Sequence, residues 1–232
     1  MGVSLPALRD GAKGGRVLKN QDVVVACEGL TAGGDRPDWA PLTLRLDAGR
    51  VYGLEMERRS SRLRLLNILG LAARPAGGDI AFEGVPMNAL SSKERATFRR
   101  LKVGWVQDVW SLLPALSVAE NLAVPLFRDR PVEADEARVR IESALRYCGV
   151  GELAGEDPSA LDTEQRQRVL FARALILRPR LVLGEILSPP TVWTSLGRKV
   201  ARQHGVTVVW GGASHGSTLS EFCDTVVRVS TG

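Results

Sequence analysis

At 232 residues the chain is long enough for one sizeable domain with a substantial core. Its hydrophobic fraction of 44% and charged fraction of 25% exclude a disordered or low-complexity chain. The net charge of +5 permits an anionic partner, while no basic patch with interleaved aromatics points to nucleic acid.

Three cysteines, Cys27, Cys148 and Cys223, stand far apart without a CxxC pair. This argues against a disulfide framework or a zinc site and for a reducing cytoplasm. The first residues lack the apolar core of a signal peptide, and no apolar run approaches the ~20 residues needed to cross a bilayer. Work at a membrane would therefore need another chain as anchor.

Residues 1–20, rich in Gly, Arg and Lys, read as a flexible leader, and 21–232 as a single domain. Val23–Cys27 and Leu42–Leu46 have strand character, the second alternating apolar and polar. Arg50–Leu54 reads as a short strand, followed by a loop and a helix over Leu63–Leu71. After the Gly77-Gly78-Asp79 turn come a strand at Ile80–Phe82, a basic helix at Ser91–Arg100 and a strand at Val103–Val106. Ser117–Leu126 and Val132–Tyr147 read as helices, with Pro131 a start signal. Leu161–Leu177 is a strong amphipathic helix. Arg180–Leu183 and Val206–Trp210 are apolar, β-branched runs of the buried parallel-strand type. Strands alternating with helices predict an α/β core, and the helical stretch at 111–160 predicts an inserted helical subdomain.

Three segments carry a resemblance. Arg50-Val51-Tyr52-Gly53-Leu54 through Leu65-Leu66-Asn67, then Arg74-Pro75 and Gly77–Gly84, form one. Val103-Gly104-Trp105-Val106 through Leu112-Leu113-Pro114, then Ser117 to Leu122, form a second. Gln165-Arg166-Gln167-Arg168-Val169 through Ala172-Arg173-Ala174-Leu175 and Arg178-Pro179 form a third. In this order and spacing they resemble the ABC ATPase family, most closely its lipoprotein-release and macrolide-exporter subfamily. The resemblance covers most of residues 40–227. It implies a P-loop NTPase-like ABC ATPase core with an antiparallel β subdomain and an inserted helical subdomain. It further implies ATP and Mg²⁺ as cofactors, transmembrane permease subunits as partners, a second ABC ATPase-like subunit in a homodimer or heterodimer, and a peripheral place at the cytoplasmic face of the plasma membrane.

The family's chemical residues are nearly all replaced. A working P-loop reads GxxxxGK[ST]: its glycines let backbone N–H groups wrap phosphate oxygens, its Lys neutralises charge and its hydroxyl holds Mg²⁺. The aligned stretch is Met56-Glu57-Arg58-Arg59-Ser60-Ser61-Arg62-Leu63-Arg64. Arg62 stands at the Lys position, and Leu63 at the magnesium hydroxyl, where a leucine cannot ligate a hard cation. Arg58, Arg59, Ser60, Ser61 and Arg62 remain as a degenerate phosphate-facing loop. Trp39 is the nearest candidate to stack on adenine, with packing at a sheet edge the alternative reading. The Q-loop glutamine falls on Asp108, or on Gln107 if a one-residue bulge intervenes.

The signature LSGGQ, which resemblance assigns to capping the γ-phosphate across a dimer, reads Leu161-Asp162-Thr163-Glu164-Gln165. Each added carboxylate ~5 Å from phosphate opposes it by on the order of 3 kcal/mol at an effective dielectric of ~20. The same carboxylates are favourable helix N-terminal charges. In place of the Asp-Glu that closes Walker B stand Glu185, which keeps an oxygen for metal, and Ile186, which cannot act as a base. The D-loop aspartate falls near Val192. The switch histidine falls on Ala213 by one count and on His215 by another, and His215 is taken as the candidate. Glu185 and His215 are thus the catalytic positions by resemblance, without an expectation that they work.

These losses together predict a pseudo-ATPase that docks on membrane partners and dimerises, with no cofactor and no metal site of its own. Alternatives are a weakly active ATP-hydrolysing subunit using Glu185, His215 and Gln107, and a soluble regulator that kept only the fold. A further expectation is that Arg58, Arg59, Arg62 and Arg64 of one subunit pair with Asp162 and Glu164 of another in a nucleotide-free homodimer.

Overall fold

The computed structural model describes residues 22–33, 38–107, 112–128, 132–186, 192–213 and 219–230. The residues assigned to a leader, 1–20, lie outside that set.

The chain opens with an antiparallel layer. Strand β1 (Val23–Thr31) pairs with β2 (Leu42–Asp47), with Cys27 opposite Leu44. It also pairs with β4 (Gly77–Phe82), with Val25 opposite Phe82, and β4 carries the short β5 (Val85–Pro86). The second layer is a five-stranded parallel sheet in the order β6-β7-β8-β3-β9. Its strands are β3 (Val51–Glu55), β6 (Val103–Val106), β7 (Leu181–Glu185), β8 (Thr207–Gly212) and β9 (Thr225–Arg228). Every residue of β3 and β8 is buried, as expected for parallel strands covered on both faces.

Seven α-helices accompany these strands among the described residues: α1 (Arg59–Leu69), α2 (Ser92–Lys102), α3 (Val118–Phe127), α4 (Ala134–Tyr147), α5 (Thr163–Leu175), α6 (Val192–His204) and α7 (Leu219–Phe222). Serine capping boxes start α2 (Ser91 with Glu94) and α3 (Ser117 with Glu120). One core lies between the two sheets and α1, the other between the parallel sheet and α3–α6.

Several elements differ from the expectations drawn from sequence or lie where none was drawn. The first helix begins at Arg59, a turn before Leu63; no glycine interrupts Arg59–Leu63, so helical backbone is open to every residue there. The stretch after Val192 is helix α6, whose buried Trp193, Leu196, Gly197, Val200 and Ala201 follow helical spacing. The edge strand β9 and helix α7 are too short for periodicity to reveal.

Ties between layers do not depend on a ligand. Glu83 accepts from Lys102 at 2.9 Å and from Arg180 at 2.6 Å, joining the antiparallel layer to the ends of α2 and β7. Buried Asn121 donates to the carbonyls of Leu113, Leu116 and Ser117 and accepts from the Leu113 N–H, which fastens the 112–117 loop to α3.

At the centre, Trp210 on β8 stacks on Trp193 with ring centroids 6.5 Å apart. Trp193 in turn donates to the Gln167 carbonyl of α5 at 2.9 Å. Trp210 fits only because Gly184 and Gly197 lack side chains: a Cβ on Gly184 would lie 2.4 Å from the indole. Gly184→Ala is therefore expected to destabilise the fold by about 1–3 kcal/mol through overpacking, measured as a lower urea midpoint with an unchanged m-value.

Candidate functional site

The site lies where β3, β7 and β8 end and α1 begins. Leaving β3, Met56 is fully buried, and its N–H bonds the Gly212 carbonyl at 3.2 Å. Two residues later Arg58 becomes the N-cap of α1, exposed and without a side-chain capping bond.

Arg62, in the first turn of α1, turns back into the protein. Its Nη1 donates to the Met56 carbonyl at 2.7 Å. Its Nε and Nη2 both donate to Glu185 Oε1, at 3.0 and 2.7 Å. Arg59 donates from Nε to Glu185 Oε2 at 3.0 Å, and its Nη2 lies 2.9 Å from the same oxygen. The Arg62 side chain is only 4% exposed and that of Glu185 7%. The Arg62 stem lies on Gly211 of β8, where a Cβ would come within 3.1 Å of Arg62 Cγ and Cδ. A glycine thus supplies the groove in which the arginine is buried.

Both oxygens of Glu185 are therefore engaged, and a cation could reach them only after an arginine had left. Leu63 offers no oxygen beside them. Ile186 is buried, with its N–H bound to the Gly211 carbonyl at 2.8 Å, and has no group that could take a proton from water. Ser61 is buried and Ser60 exposed in the same turn. These donors do not fit a magnesium triphosphate. No cluster of metal-ligating residues is found among the described residues.

Trp39 is buried, and its Nε1 donates to the Leu30 carbonyl at 3.0 Å. Its ring belongs to the core between the sheets, so of the two readings the packing one holds. Gln107 follows β6 and is half-buried, whereas Asp108 and His215 lie outside the described residues. Ala213, the other switch position, is exposed just after β8.

The signature stretch starts α5. Asp162 is its N-cap: the Gln165 N–H donates to Asp162 Oδ1 at 2.8 Å, and the Asp162 N–H to Gln165 Oε1 at 3.0 Å. Thr163 is exposed in the first turn. Glu164 accepts from Arg168 Nε and Nη2 at 3.0 and 2.7 Å, and Arg168 also donates to the Cys148 carbonyl at 2.9 Å.

Of the residues expected to pair across a homodimer, four have charged partners within the chain, and Arg58 is exposed at the start of α1. Arg59 and Arg62 are bound to Glu185, Arg64 to Asp38 at 3.1 Å, and Glu164 to Arg168. The chain satisfies these charges within itself.

The three thiols take no part. Burial pushes Cys27, Cys148 and Cys223 up to about 12, so each stays a protonated core residue.

Sequence reasoning brought Arg62 and Glu185 to one site but read Glu185 as a metal ligand. The groups it missed are Gly211 and the Met56 carbonyl. Neither has a sequence signal, because one acts by lacking a side chain and the other through its backbone.

Comparison with known proteins places this geometry. The ABC transporter family profile matches residues 63–184, just over half of the chain. The matched block begins one residue after Arg62 and stops one residue before Glu185. The lipoprotein-releasing system ATP-binding protein LolD 2 of Caulobacter vibrioides is 34% identical over 223 residues, covering 91% of this chain and 96% of the relative. LolD of Hyphomonas neptunium is 32% identical over 195 residues, covering 82% and 84%. The macrolide export ATP-binding/permease protein MacB of Syntrophobacter fumaroxidans is 30% identical over 208 residues, which span 85% of this chain but 28% of that longer protein.

Among solved structures, a dimeric bacterial ABC transporter cassette superposes with a TM-score of 0.74 at 24% identity, covering 89% of this chain and 94% of the other. The cbiO1 protein of Clostridium perfringens superposes with a TM-score of 0.78 at 18% identity, covering 91% and 87%. The two superpositions establish the fold, and the sequence relatives and family profile establish descent. This chain belongs to the ABC transporter ATP-binding family.

Proposed function

We propose that this chain is a pseudo-ATPase subunit of an ABC transporter, which contributes shape and contacts to a membrane complex without hydrolysing ATP. The observation that carries this reading is the buried pair of Arg62 with Glu185. In this family the ATP-binding loop and the end of β7 are joined through nucleotide and metal; here they are joined through a salt bridge. The side chain that should reach phosphate reaches a carboxylate, and the carboxylate that should reach metal reaches two guanidinium groups. The position of the general base, Ile186, has no ionisable group.

The partners follow from the relatives. LolD is named as the ATP-binding protein of a lipoprotein-releasing system, MacB joins ATP-binding and permease parts in one protein, and the cassette structure is a dimer. By that likeness this chain dimerises with itself or with another ATPase subunit and sits on transmembrane permease subunits at the cytoplasmic face of the membrane. No helix among the described residues is long and apolar enough to cross a membrane, in keeping with attachment through a partner. The permease contact is assigned to the inserted helical subdomain at about 111–160 within a single domain of 21–232. Its exposed apolar side chains, Leu113, Val124, Phe127 and Val139, support that assignment, since Phe127 is 50% and Val139 54% exposed.

The first expectation concerns nucleotide. Saturating Mg·ATP leaves the melting temperature unchanged, whereas a ligand at 100 times its Kd would add about 2.7 kcal/mol, or roughly 5–10 °C for a chain of this size. A rise of that size with Mg·ATP would overturn the reading in favour of a slow ATPase.

The second concerns catalysis. Ile186→Glu alone yields no phosphate release, because Arg62, Leu63 and the occupied Glu185 still exclude the metal. Measurable turnover by that single variant in a phosphate-release assay would count against the proposal.

The third concerns docking. Phe127→Asp together with Val139→Asp is expected to lower co-purification with the membrane partner at least several-fold, with the fold retained by circular dichroism, because a desolvated carboxylate in an apolar contact costs several kcal/mol.

A further inference from the structure

We propose that the Arg62 cradle is an oxyanion site whose resident ligand is the chain's own Glu185, an autoinhibitory contact that closes the loop against soluble anions. The inference rests on the pseudo-ATPase reading and goes on to name the ligand chemistry the site retains.

A guanidinium group is a permanent cation. Arg62 is not placed to swing into water: its stem lies on Gly211, and its Nη1 is held by the Met56 carbonyl at 2.7 Å. The positive charge is thus built into the interior, and an anion must accompany it. Around the Glu185 carboxylate, positive potential exceeds negative. Two guanidinium groups converge on it, and the first turn of α1 contains no acidic residue to offset the helix dipole.

The geometry selects the anion. Oε1 takes two N–H donors from Arg62, and Oε2 takes one from Arg59 Nε with Arg59 Nη2 2.9 Å away, so the site holds two oxygens on one central atom. A carboxylate has that shape, and so does one edge of a phosphate; a halide does not. Because Glu185 is part of the chain, its effective concentration is at least millimolar, and a free anion of similar intrinsic affinity cannot displace it. In the native protein the site is therefore silent, although its donors are intact.

Chemical rescue tests this. Glu185→Ala removes the carboxylate and opens a space of its size. The variant is expected to melt on the order of 10 °C below the wild type, the consequence of breaking a buried pair in a protein this large. Sodium formate or inorganic phosphate should raise its melting temperature saturably, well beyond sodium chloride at equal ionic strength, while the wild type responds to all three salts alike. Comparing formate with phosphate separates a carboxylate-selective site from a phosphate-selective one. In Arg62→Met/Glu185→Ala, which lacks the buried cation, the rescue should vanish. If Glu185→Ala does not stay soluble, its refolding yield from urea in formate against chloride makes the same comparison.

The proposal is overturned if formate and phosphate stabilise the Glu185→Ala variant no more than chloride does, or if rescue persists in the double variant. Those results would leave the pseudo-ATPase reading standing. Strong stabilisation of the wild type by Mg·ATP would defeat that reading, while rescue of Glu185→Ala would remain a separate result.

Discussion

A guanidinium group buried in a protein cannot shed its charge, so the surroundings must provide an anion or bear a penalty of several kcal/mol. Arg62 imposes that condition on this fold, and Glu185 meets it. The consequence is architectural. The start of α1 and the end of β7 are 123 residues apart in the chain, yet they are cross-linked by hydrogen bonds of 2.7 and 3.0 Å. In relatives that use nucleotide, such a link would come and go with the ligand. Here it belongs to the folded state and persists as long as the fold does. The net contribution of such a pair to stability is small, because desolvation offsets attraction; the loss on breaking it is large, because one charge is left behind.

The same substitution of carboxylate for phosphate recurs at the signature. A helix N-terminus presents N–H groups that an anion can satisfy. At α5 the Asp162 side chain takes the Gln165 N–H, and Glu164 is turned to Arg168. Both phosphate-facing segments of the family are thus served by the chain's own acids. At α5 a helix N–H has a carboxylate acceptor in Asp162, whereas at α1 the helix start has no side-chain cap and it is the Arg59 and Arg62 side chains that are satisfied by Glu185. On the proposed pseudo-ATPase reading, ATP would meet carboxylates at the signature and an occupied arginine at the loop.

The rest of the scaffold is equally self-sufficient. Trp210, packed over two glycines and against Trp193, fixes β7, β8 and α6 together, and the Trp193 indole extends that unit to α5. Asn121 closes the loop before α3 with hydrogen bonds that require no partner molecule. Glu83 ties the antiparallel layer to the parallel one. None of these contacts involves a residue that the family uses for catalysis, so the architecture does not depend on the motif positions that are replaced.

The sequence by itself determined the α/β class, the order of most elements and the loss of catalytic groups. Those rest on local signals: strand-type runs such as Val206–Trp210, the amphipathic pattern over Leu161–Leu177, and the replacement of a lysine, a hydroxyl and a glutamate at Arg62, Leu63 and Ile186. It also brought Arg62 and Glu185 to the same site, because aligned motifs converge in this fold. Only the tertiary structure decided what they do to each other. The burial of Arg62 depends on Gly211 in a distant strand and on a backbone oxygen at Met56, and neither leaves a trace in residue spacing. Trp39 illustrates the same limit, since its choice between ligand and core was made by the Leu30 carbonyl. Local pattern specifies which groups a chain possesses; the partner each group finds is set by long-range packing, which brings together atoms that no sequence window contains.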